Sequence, residues 1–249
     1  MELDVIYNED CIEGMMRIPD KSIDCVICDL PYGTTKNKWD VVIPFDKLWA
    51  AYDRICKPTA AIVLTASQPF TSMLVMSNIQ DFRHEWIWIK NRGSNFANTV
   101  REPFKEHEEI LVFSKGKWTY NKQMQERSGG GLARVQYNVK FDSQSSNYRD
   151  FGVRETNKRP DMRVPSSWQK FNVDVGLHPT QKPLELFRYL VRTYSNEGDV
   201  ILDNCIGSGT TAVACIKENR HYIGFESNKD YFDIATKRIE DVRSAKPLF

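Results

Sequence analysis

The sequence lacks several features that would mark a membrane, secreted or metal-binding protein. No apolar run approaches the roughly 18 residues needed to span a bilayer, and the first residues carry no basic cluster typical of a signal peptide. The six cysteines lie mostly in apolar segments. The C-x-x-C pair Cys25 and Cys28 has no second pair or histidine cluster to complete a zinc site. We therefore expect a cytoplasmic protein with reduced thiols and no bound metal.

Net charge is also nearly absent, at +1 over 249 residues, but the charges are unevenly placed. Residues 115–182 hold 13 lysines and arginines against 6 acidic residues, a net charge of +7, and the remainder carries −6. This stretch has little hydrophobic periodicity and mixes basic with aromatic residues. Such a mixture suits contacts with phosphates and bases, although a solvated, partly disordered insertion is an alternative. We predict a loop-rich insert at 115–175.

The rest of the sequence alternates short apolar strands with amphipathic helices. This alternation predicts a mainly parallel sheet with helices on both faces, that is, a Rossmann-like α/β fold. With 41% hydrophobic residues, 249 residues suffice for one such domain with an insert. Strands are predicted at 3–7, 22–28, 60–65, 84–89, 110–114 and 221–226, and helices at 9–17, 45–56, 69–78, 184–194 and 231–242.

One predicted strand ends abruptly at Asp29, and Leu30, Pro31 and Tyr32 follow it. Pro31 removes a backbone donor and holds Leu30 extended. A carboxylate, an outward-facing carbonyl and an aromatic ring thus lie at the carboxyl end of a strand, where open α/β sheets bind ligands. The two acceptors match the two N–H donors of an exocyclic amino group, and its ring can stack on the aromatic side chain. An ordinary Pro-Tyr-Gly turn is the alternative.

A second motif joins a strand to a helix through a glycine loop between Asp203 and Thr211. Gly207 and Gly209 allow the backbone to approach a bound nucleoside closely. The loop has neither the Gly-Lys-Ser/Thr of a P-loop nor the third glycine of the dinucleotide fingerprint. The next predicted strand ends at Glu226, where a carboxylate can accept hydrogen bonds from both ribose hydroxyls. A tight turn without a ligand and a solvated carboxylate are the alternatives.

Together these motifs resemble those of the DNA amino-methyltransferases, which move a methyl group from S-adenosylmethionine to adenine N6 or cytosine N4. The resemblance covers nearly the whole chain. Three segments carry the resemblance. Residues 29–32 match the catalytic tetrapeptide, residues 203–211 match the methionine-binding loop, and residues 178–183 match the segment that precedes the donor-site helix. Their order is that of the beta class of the family. It implies a catalytic part of the methyltransferase domain at 1–114, a target-recognition insert at 115–175 and a cofactor-binding part at 176–249.

The resemblance also implies roles for individual residues. Asp29, Leu30, Pro31 and Tyr32 form the expected catalytic site, with Leu30 where the family usually has a first proline. Asn204 and Cys205 stand where Pro-Phe is usual. The residues expected to bind the donor are Asp10, Asp29, Thr180, Gln181, Lys182, Asp203, Cys205, Gly207, Ser208, Gly209, Thr210, Thr211 and Glu226.

Some of these roles have local alternatives. Asp10 resembles the position that contacts the adenine of the donor, but an acid in the first turn of a helix fits the same pattern. Lys182 precedes a helix whose N-terminus is expected to meet the donor carboxylate, with an exposed charge as the alternative. Arg92, Asn95 and Asn98 either touch the target strand or cap a turn. The family also adds one antiparallel strand at the edge of the sheet.

The implied reaction is direct, in-line transfer to the amino nitrogen of a base flipped out of duplex DNA. The Pro-Cys dipeptide of cytosine-C5 enzymes is absent, which argues against a covalent adduct. A tetrapeptide that opens with aspartate favours adenine N6. Cytosine N4 is the near alternative, and an inactive DNA-binding protein or a nicotinamide oxidoreductase is more distant. We expect double-stranded DNA as partner. A homodimer is open, and any restriction endonuclease would be a separate chain.

Overall fold

The computed structural model describes residues 1–35, 37, 40–127, 161–174 and 181–245. The chain divides into two compact units, Met1–Asn121 with Ser167–Phe249, and Lys122–Ser166. Within its described residues, the smaller unit contains two short antiparallel strands, β6 (Gln125–Glu126) and β7 (Met162–Arg163).

The larger unit contains a sheet of eight strands and, in its described part, six α-helices. Most predicted elements are present, and the helix expected at 184–194 has those bounds. The strands are β1 (Val5–Tyr7), β2 (Ile23–Asp29), β3 (Cys56–Ala66), β4 (Phe82–Ile89), β5 (His107–Phe113), β8 (Trp168–Lys170), β9 (Val200–Asp203) and β10 (His221–Phe225). The helices are α1 (Cys11–Met15), α2 (Phe45–Ile55), α3 (Phe70–Ser77), α4 (Leu184–Tyr194), α5 (Thr210–Lys217) and α6 (Lys229–Ala245).

The sheet has the order β1-β10-β9-β2-β3-β5-β4-β8. All pairs are parallel except those of β5, which runs antiparallel to both β3 and β4. The expected antiparallel strand therefore exists, but its predicted place at the edge is wrong, because β4 and β8 lie beyond it. β4 and β8 extend the sheet beyond β5, on the side away from β3.

Alternate residues of the central strands pack into two hydrophobic cores on opposite faces of the sheet. On β2, Cys25 and Ile27 face one core, which α4, α5 and α6 cover. Val26 and Cys28 face the other core, which α1, α2 and α3 cover. A strand buried on both faces reads as a continuous apolar run, as β2 does. Helices on both faces of a mainly parallel sheet confirm the Rossmann-like α/β prediction.

The carboxyl ends of the parallel strands meet at one edge of the sheet. Asp29 at the end of β2 is level with Thr65 on β3, and Asp203 ends the neighbouring β9. Because β5 is antiparallel, its first residues, His107 and Glu108, reach the same edge beside the end of β4. Polar side chains from four strands therefore collect at this edge, the usual place for a ligand in such folds.

The compact smaller unit is narrower than the insert predicted at 115–175. Residues 168–170 form β8, which pairs with β4 and so belongs to the main sheet. Residues 128–160, which carry many of the basic and aromatic side chains of the insert, lie outside the described residues. A role of this region in target recognition stays a prediction.

Close packing of α1 against the sheet gives a test of the fold. A Cβ on Gly14 would lie 2.2 Å from the ring of buried Phe225. Helix propensity alone favours Gly14→Ala by about 1 kcal/mol, whereas overpacking costs about 1–3 kcal/mol. We expect Gly14→Ala to have a lower free energy of unfolding than wild type in urea. The control is Met16→Ala at an exposed neighbouring position, whose free energy of unfolding should stay close to wild type. A more stable Gly14→Ala would contradict this packing.

Candidate active site

A cavity of about 1150 Å³ opens at the carboxyl edge of the sheet. It is lined by the whole tetrapeptide 29–32 and by most of the residues predicted to hold a donor. Two residues of the predicted set are not in this lining. Thr180 lies outside the described residues, and Gly209 packs beside α6. The donor-site residues that line the cavity are Asp10, Asp29, Gln181, Lys182, Asp203, Cys205, Gly207, Ser208, Thr210, Thr211 and Glu226.

Asp29 receives three donors on one of its two carboxylate oxygens. The Tyr32 hydroxyl donates to Oδ1 at 2.8 Å, the Thr65 hydroxyl donates to the same atom, and Lys182 Nζ lies 2.8 Å from it. Among the described residues, no hydrogen bond or ion pair reaches Oδ2, and the side chain is 27% exposed. The protein therefore saturates one oxygen and leaves the other as an acceptor for a ligand.

The backbone and ring of the tetrapeptide are fixed by packing. The Leu30 side chain is buried, and its carbonyl accepts no hydrogen bond from any described residue. The Tyr32 ring stacks on Phe70, with centroids 5.1 Å apart and an interplanar angle of 26°. Burial, reinforced by the charges of Asp29 and Glu108, raises the pKa of Tyr32, so its hydroxyl remains a donor. A second unused acceptor thus lies beside Asp29.

A buried carboxylate that sequence reasoning missed shapes the loop after the tetrapeptide. Asp40 accepts from the backbone N–H groups of Gly33, Thr34 and Thr35, at 2.8, 3.0 and 2.6 Å. Gly33 has a φ of +69°, a left-handed conformation that favours glycine. Burial alone would raise the pKa of Asp40, but these hydrogen bonds outweigh it and hold the pKa below its ordinary value. Asp40 therefore orders one wall of the cavity.

The glycine loop forms the other side of the cavity. Gly207 and Gly209 both have positive φ, at 52° and 81°. A Cβ on Gly207 would meet open space, whereas one on Gly209 would lie 3.1 Å from Ala235 Cβ on α6. Gly207 thus presents bare backbone to the cavity. Gly209 is the N-cap of α5 and packs against α6, and its contact with a donor stays a prediction.

Two acidic residues hold the ends of β9 and β10 around this loop. Asp203 accepts from the Thr211 hydroxyl and from the Cys205 N–H at 3.1 Å, and burial raises its pKa to about 7. Glu226 accepts from the N–H of Gly207 at 3.0 Å and from that of Asn228 at 2.7 Å. Burial also raises the pKa of Glu226. Glu226 Oε1 and Oε2 each keep a lone pair available to hydroxyl donors.

The departures at Asn204 and Cys205 are accommodated by a local polar cluster. Asn204 is buried and accepts from the Tyr52 hydroxyl at 2.5 Å. Its amide contacts the Cys205 and Cys11 sulfurs at 3.5 and 3.8 Å. Asn204 therefore anchors the loop to α1 and α2, while Cys205 is partly exposed on the cavity wall.

Asp10 and Gln181 extend the donor side of the cavity. Asp10 is the N-cap of α1, because its Oδ1 accepts from the N–H groups of Ile12 at 2.8 Å and Glu13 at 3.2 Å. Its second oxygen has no partner among the described residues. Gln181 Oε1 is buried and likewise receives no hydrogen bond from the part of the chain that the structure describes. The free oxygens of Asp10 and Gln181 are therefore available as acceptors.

Lys182 is not the exposed charge that we considered as an alternative. Its side chain is 9% exposed, and Nζ lies 2.8 Å from Asp29 Oδ1 and 3.2 Å from Glu108 Oε2. Lys90 at the end of β4 also pairs with Glu108. Sequence reasoning missed Glu108, Lys90 and Thr65. Glu108 stands in the polar run 105–109 that precedes the apolar residues of β5, so the sequence carried no signal that set it apart.

The loop from 91 to 106 borders the cavity and exposes apolar side chains. Asn95 accepts from the Lys105 N–H at 2.7 Å and donates to Pro103 O at 3.0 Å, so it closes this loop. Of the two roles considered for Asn95, the structure shows the structural one. Phe96 and Val100 are 79% and 91% exposed. Arg92 and Asn98 line the cavity, and contact with a target strand stays a prediction for both.

Neither a metal-binding cluster nor a membrane-spanning helix is found among the described residues. No group of three or more His, Cys, Asp or Glu in the described part of the chain is arranged to hold a metal ion. None of the helices built from described residues combines the length and apolarity needed to cross a membrane.

Comparison with known proteins identifies the family. A family model described as "DNA methylase" (N6_N4_Mtase) matches residues 23–237. The type II methyltransferase M.HpaI of Haemophilus parainfluenzae is 29% identical over 247 residues, covering 93% of this chain and 72% of the relative. Type II methyltransferase M1.MboII of Moraxella bovis is 26% identical over 261 residues, covering 94% and 96%.

Solved structures agree with these relatives. The M1.HpyAVI–SAM complex superposes with a TM-score of 0.63 at 26% identity, covering 94% of this chain and 98% of that one. The cytosine-N4-specific PvuII DNA methyltransferase has a TM-score of 0.65 at 15% identity, covering 96% and 90%, and shows the fold alone. Fold and site thus define a Rossmann-like methyltransferase. The chain belongs to the N6/N4 DNA methylase family.

The role of Asp40 gives a test with a defined pH dependence. Its folded-state pKa lies below the unfolded value of about 3.9, so its stabilisation is present above that pH and is lost as pH falls through the folded-state pKa. We expect Asp40→Asn to lower the free energy of unfolding by about 1–3 kcal/mol at neutral pH, because it removes charged hydrogen bonds. The difference from wild type should shrink below about pH 4.

Urea unfolding from neutral to acid pH measures this difference. The matched control is Asp46→Asn, an exposed acid on the nearby α2. A deficit in Asp40→Asn that persists undiminished into acid would mean that the carboxylate charge does not hold the loop.

Proposed function

We propose that this chain transfers a methyl group from S-adenosylmethionine to the N6 amino group of adenine in duplex DNA. The observation that carries the proposal is the pair of unused acceptors at the end of β2, Asp29 Oδ2 and the Leu30 carbonyl. An amino group has two N–H donors, which these acceptors match. Membership of the N6/N4 DNA methylase family supplies the reaction class.

The residues around the glycine loop fit the donor. Glu226 has acceptor capacity for ribose hydroxyls, Gly207 admits a nucleoside to the backbone, and Gln181 has a buried acceptor in need of a partner. Asp10 has a free oxygen for an adenine amino group. When bound, the donor supplies an electrophilic methyl group on a sulfonium, which is a good leaving group. We assign these residues to holding the donor.

The residues of the tetrapeptide act on the substrate base. Asp29 and the Leu30 carbonyl accept the two amino hydrogens and draw the nitrogen lone pair out of conjugation with the ring. Tyr32, held by Phe70 and by its bond to Asp29, provides the surface for the base. The base has to leave the duplex, because its amino group is inaccessible in the stack. Positioning and electrostatics therefore account for the catalysis.

Two regions of the protein are candidates for contact with DNA. The loop at 91–106 carries Arg92, Arg101 and Lys105 beside the exposed apolar residues Phe96 and Val100, at the border of the cavity. The insert supplies the larger positive charge. Phosphate contacts from both regions suit a duplex. A homodimer and a separate restriction endonuclease remain expectations from the family resemblance.

Cytosine N4 is the second candidate, because it offers the same amino group to the same two acceptors. The aspartate that opens the tetrapeptide favours adenine. Incubating the protein with methyl-labelled donor and unmethylated bacterial DNA, and then identifying the labelled nucleoside by mass spectrometry, separates the two. We expect N6-methyladenine. Label in N4-methylcytosine would leave the mechanism intact and reject the adenine assignment, and no label would reject the activity on this DNA.

The role of Asp29 is tested by removing its acceptor. We expect Asp29→Ala to lower methyl transfer at saturating donor by at least about 1,000-fold, equivalent to about 4 kcal/mol, because the amino group loses its charged partner. Donor affinity measured by calorimetry should stay within about threefold of wild type, since other residues hold the donor. Turnover near the wild-type rate would refute the assignment.

The role of Glu226 is tested by removing its charge. Glu226→Gln replaces one acceptor oxygen by a donor, so the backbone N–H groups and the ribose hydroxyls compete for fewer acceptors. We expect the donor dissociation constant to rise by about 10- to 100-fold, as for loss of a charged hydrogen bond. The exposed Glu240→Gln on α6 is the control. Unchanged affinity in calorimetry would remove Glu226 from the donor site.

A further inference from the structure

Four charges of alternating sign, of which the two lysines are buried and the two carboxylates partly buried, form a chain that lines the cavity. Asp29 Oδ1 lies 2.8 Å from Lys182 Nζ, Lys182 Nζ lies 3.2 Å from Glu108 Oε2, and Lys90 pairs with Glu108 Oε1. Lys182, Lys90 and Glu108 have side chains that are 9%, 8% and 14% exposed. The members come from β2, β4, β5 and the segment before α4.

Such a chain is stable only as a unit. Burying one charge costs several kcal/mol, and removing one partner leaves the other uncompensated. Burial alone would lower the pKa of Lys182, but Asp29 and Glu108 outweigh it and raise the pKa above its ordinary value. Burial alone would raise the pKa of Glu108, but Lys182 and Lys90 together lower it. Both shifts favour the fully charged state.

The orientation of the Lys182 side chain differs from that expected for the donor-binding role that the family resemblance implies. A lysine that binds the donor carboxylate should present Nζ to the donor side of the cavity. Here Nζ is held between two carboxylates and lies 5.4 Å from the centroid of the Tyr32 ring, on the side of the catalytic tetrapeptide. Its charge is already matched by Asp29 and Glu108.

We propose that Lys182, held in place by Glu108 and Lys90, is a positioning residue that occupies Asp29 Oδ1 and so keeps the carboxylate turned with Oδ2 toward the substrate amino group. The proposal rests on the proposed function, in which Asp29 accepts an amino hydrogen. It applies equally to adenine and cytosine, because both present the same group.

The groups around Asp29 determine what happens without Lys182. The hydroxyls of Thr65 and Tyr32 would still donate to Oδ1, but Glu108 and Asp203 would act on Asp29 without the intervening cation. Oδ1 would then lose its charged partner, and repulsion from these carboxylates would favour other orientations of the Asp29 side chain.

The first experiment compares Lys182→Met with wild type. We expect kcat at saturating donor to fall by about 100-fold near pH 7, equivalent to about 2.7 kcal/mol. The donor dissociation constant from calorimetry should change by less than about threefold. The control is Lys229→Met, which removes an exposed lysine paired with Asp233 on α6. It should leave kcat and donor affinity unchanged.

The second experiment removes the competing carboxylate as well. In Lys182→Met/Glu108→Gln, Asp29 no longer faces the Glu108 carboxylate, which Lys90 still pairs in the single variant, so we expect kcat to recover at least tenfold over Lys182→Met. This recovery distinguishes positioning from a loss of folding, since a second core substitution would otherwise lower stability further. Thermal unfolding of each variant accompanies the kinetics.

Two outcomes would overturn the proposal. The first is a donor dissociation constant raised about 30-fold or more in Lys182→Met with kcat unchanged, which would make Lys182 a ligand of the donor. The second is a double variant no more active than Lys182→Met. Failure of the proposed function would be seen separately, as wild-type protein that transfers no methyl group to DNA.

Discussion

The ion pair between Asp29 and Lys182 is the contact on which the candidate site depends. Asp29 ends a strand near the amino terminus, and Lys182 precedes α4 far along the chain, so the pair forms only when the whole sheet is assembled. Each charge would be costly to bury without the other. Because Lys182 and two hydroxyls occupy Oδ1, Oδ2 remains the acceptor that faces outward. The direction of one carboxylate thus follows from the fold.

The two cores explain why that carboxylate can be held so firmly. β2 lies in the middle of the sheet, between β9 and β3, and its apolar side chains are packed on both faces. The buried run Cys25–Cys28 ends at the edge of the sheet, where the next side chain is Asp29. The same geometry brings Asp203 and Thr65 from the neighbouring strands to the same edge. Rigid strands and a polar edge are what positional catalysis requires.

Local sequence patterns were enough to predict most strands of the main sheet, most helices and the two motifs, because a buried strand followed by Asp-Leu-Pro-Tyr or by a glycine loop has few other arrangements. β8, which lies in the predicted insert, was missed. The partners of Asp29 were not predictable in this way. Thr65 meets Asp29 through the register of β3, whereas Glu108 and Lys90 reach the chain of charges through Lys182, by the register of β5 and β4. The interior place of β5 depends on strands that pair beyond it. Asp40 follows no periodic pattern, so its hydrogen bonds with a loop were invisible in the sequence.

The most direct measurement is a crystal structure of the protein with DNA and a donor analogue that has no transferable methyl group. We expect Asp29 Oδ2 within about 3.2 Å of the exocyclic nitrogen of a flipped adenine, with the Leu30 carbonyl accepting the second hydrogen and Lys182 still on Oδ1. A flipped base whose amino group bonds elsewhere, or Lys182 bound to the donor carboxylate instead of Asp29, would contradict this account.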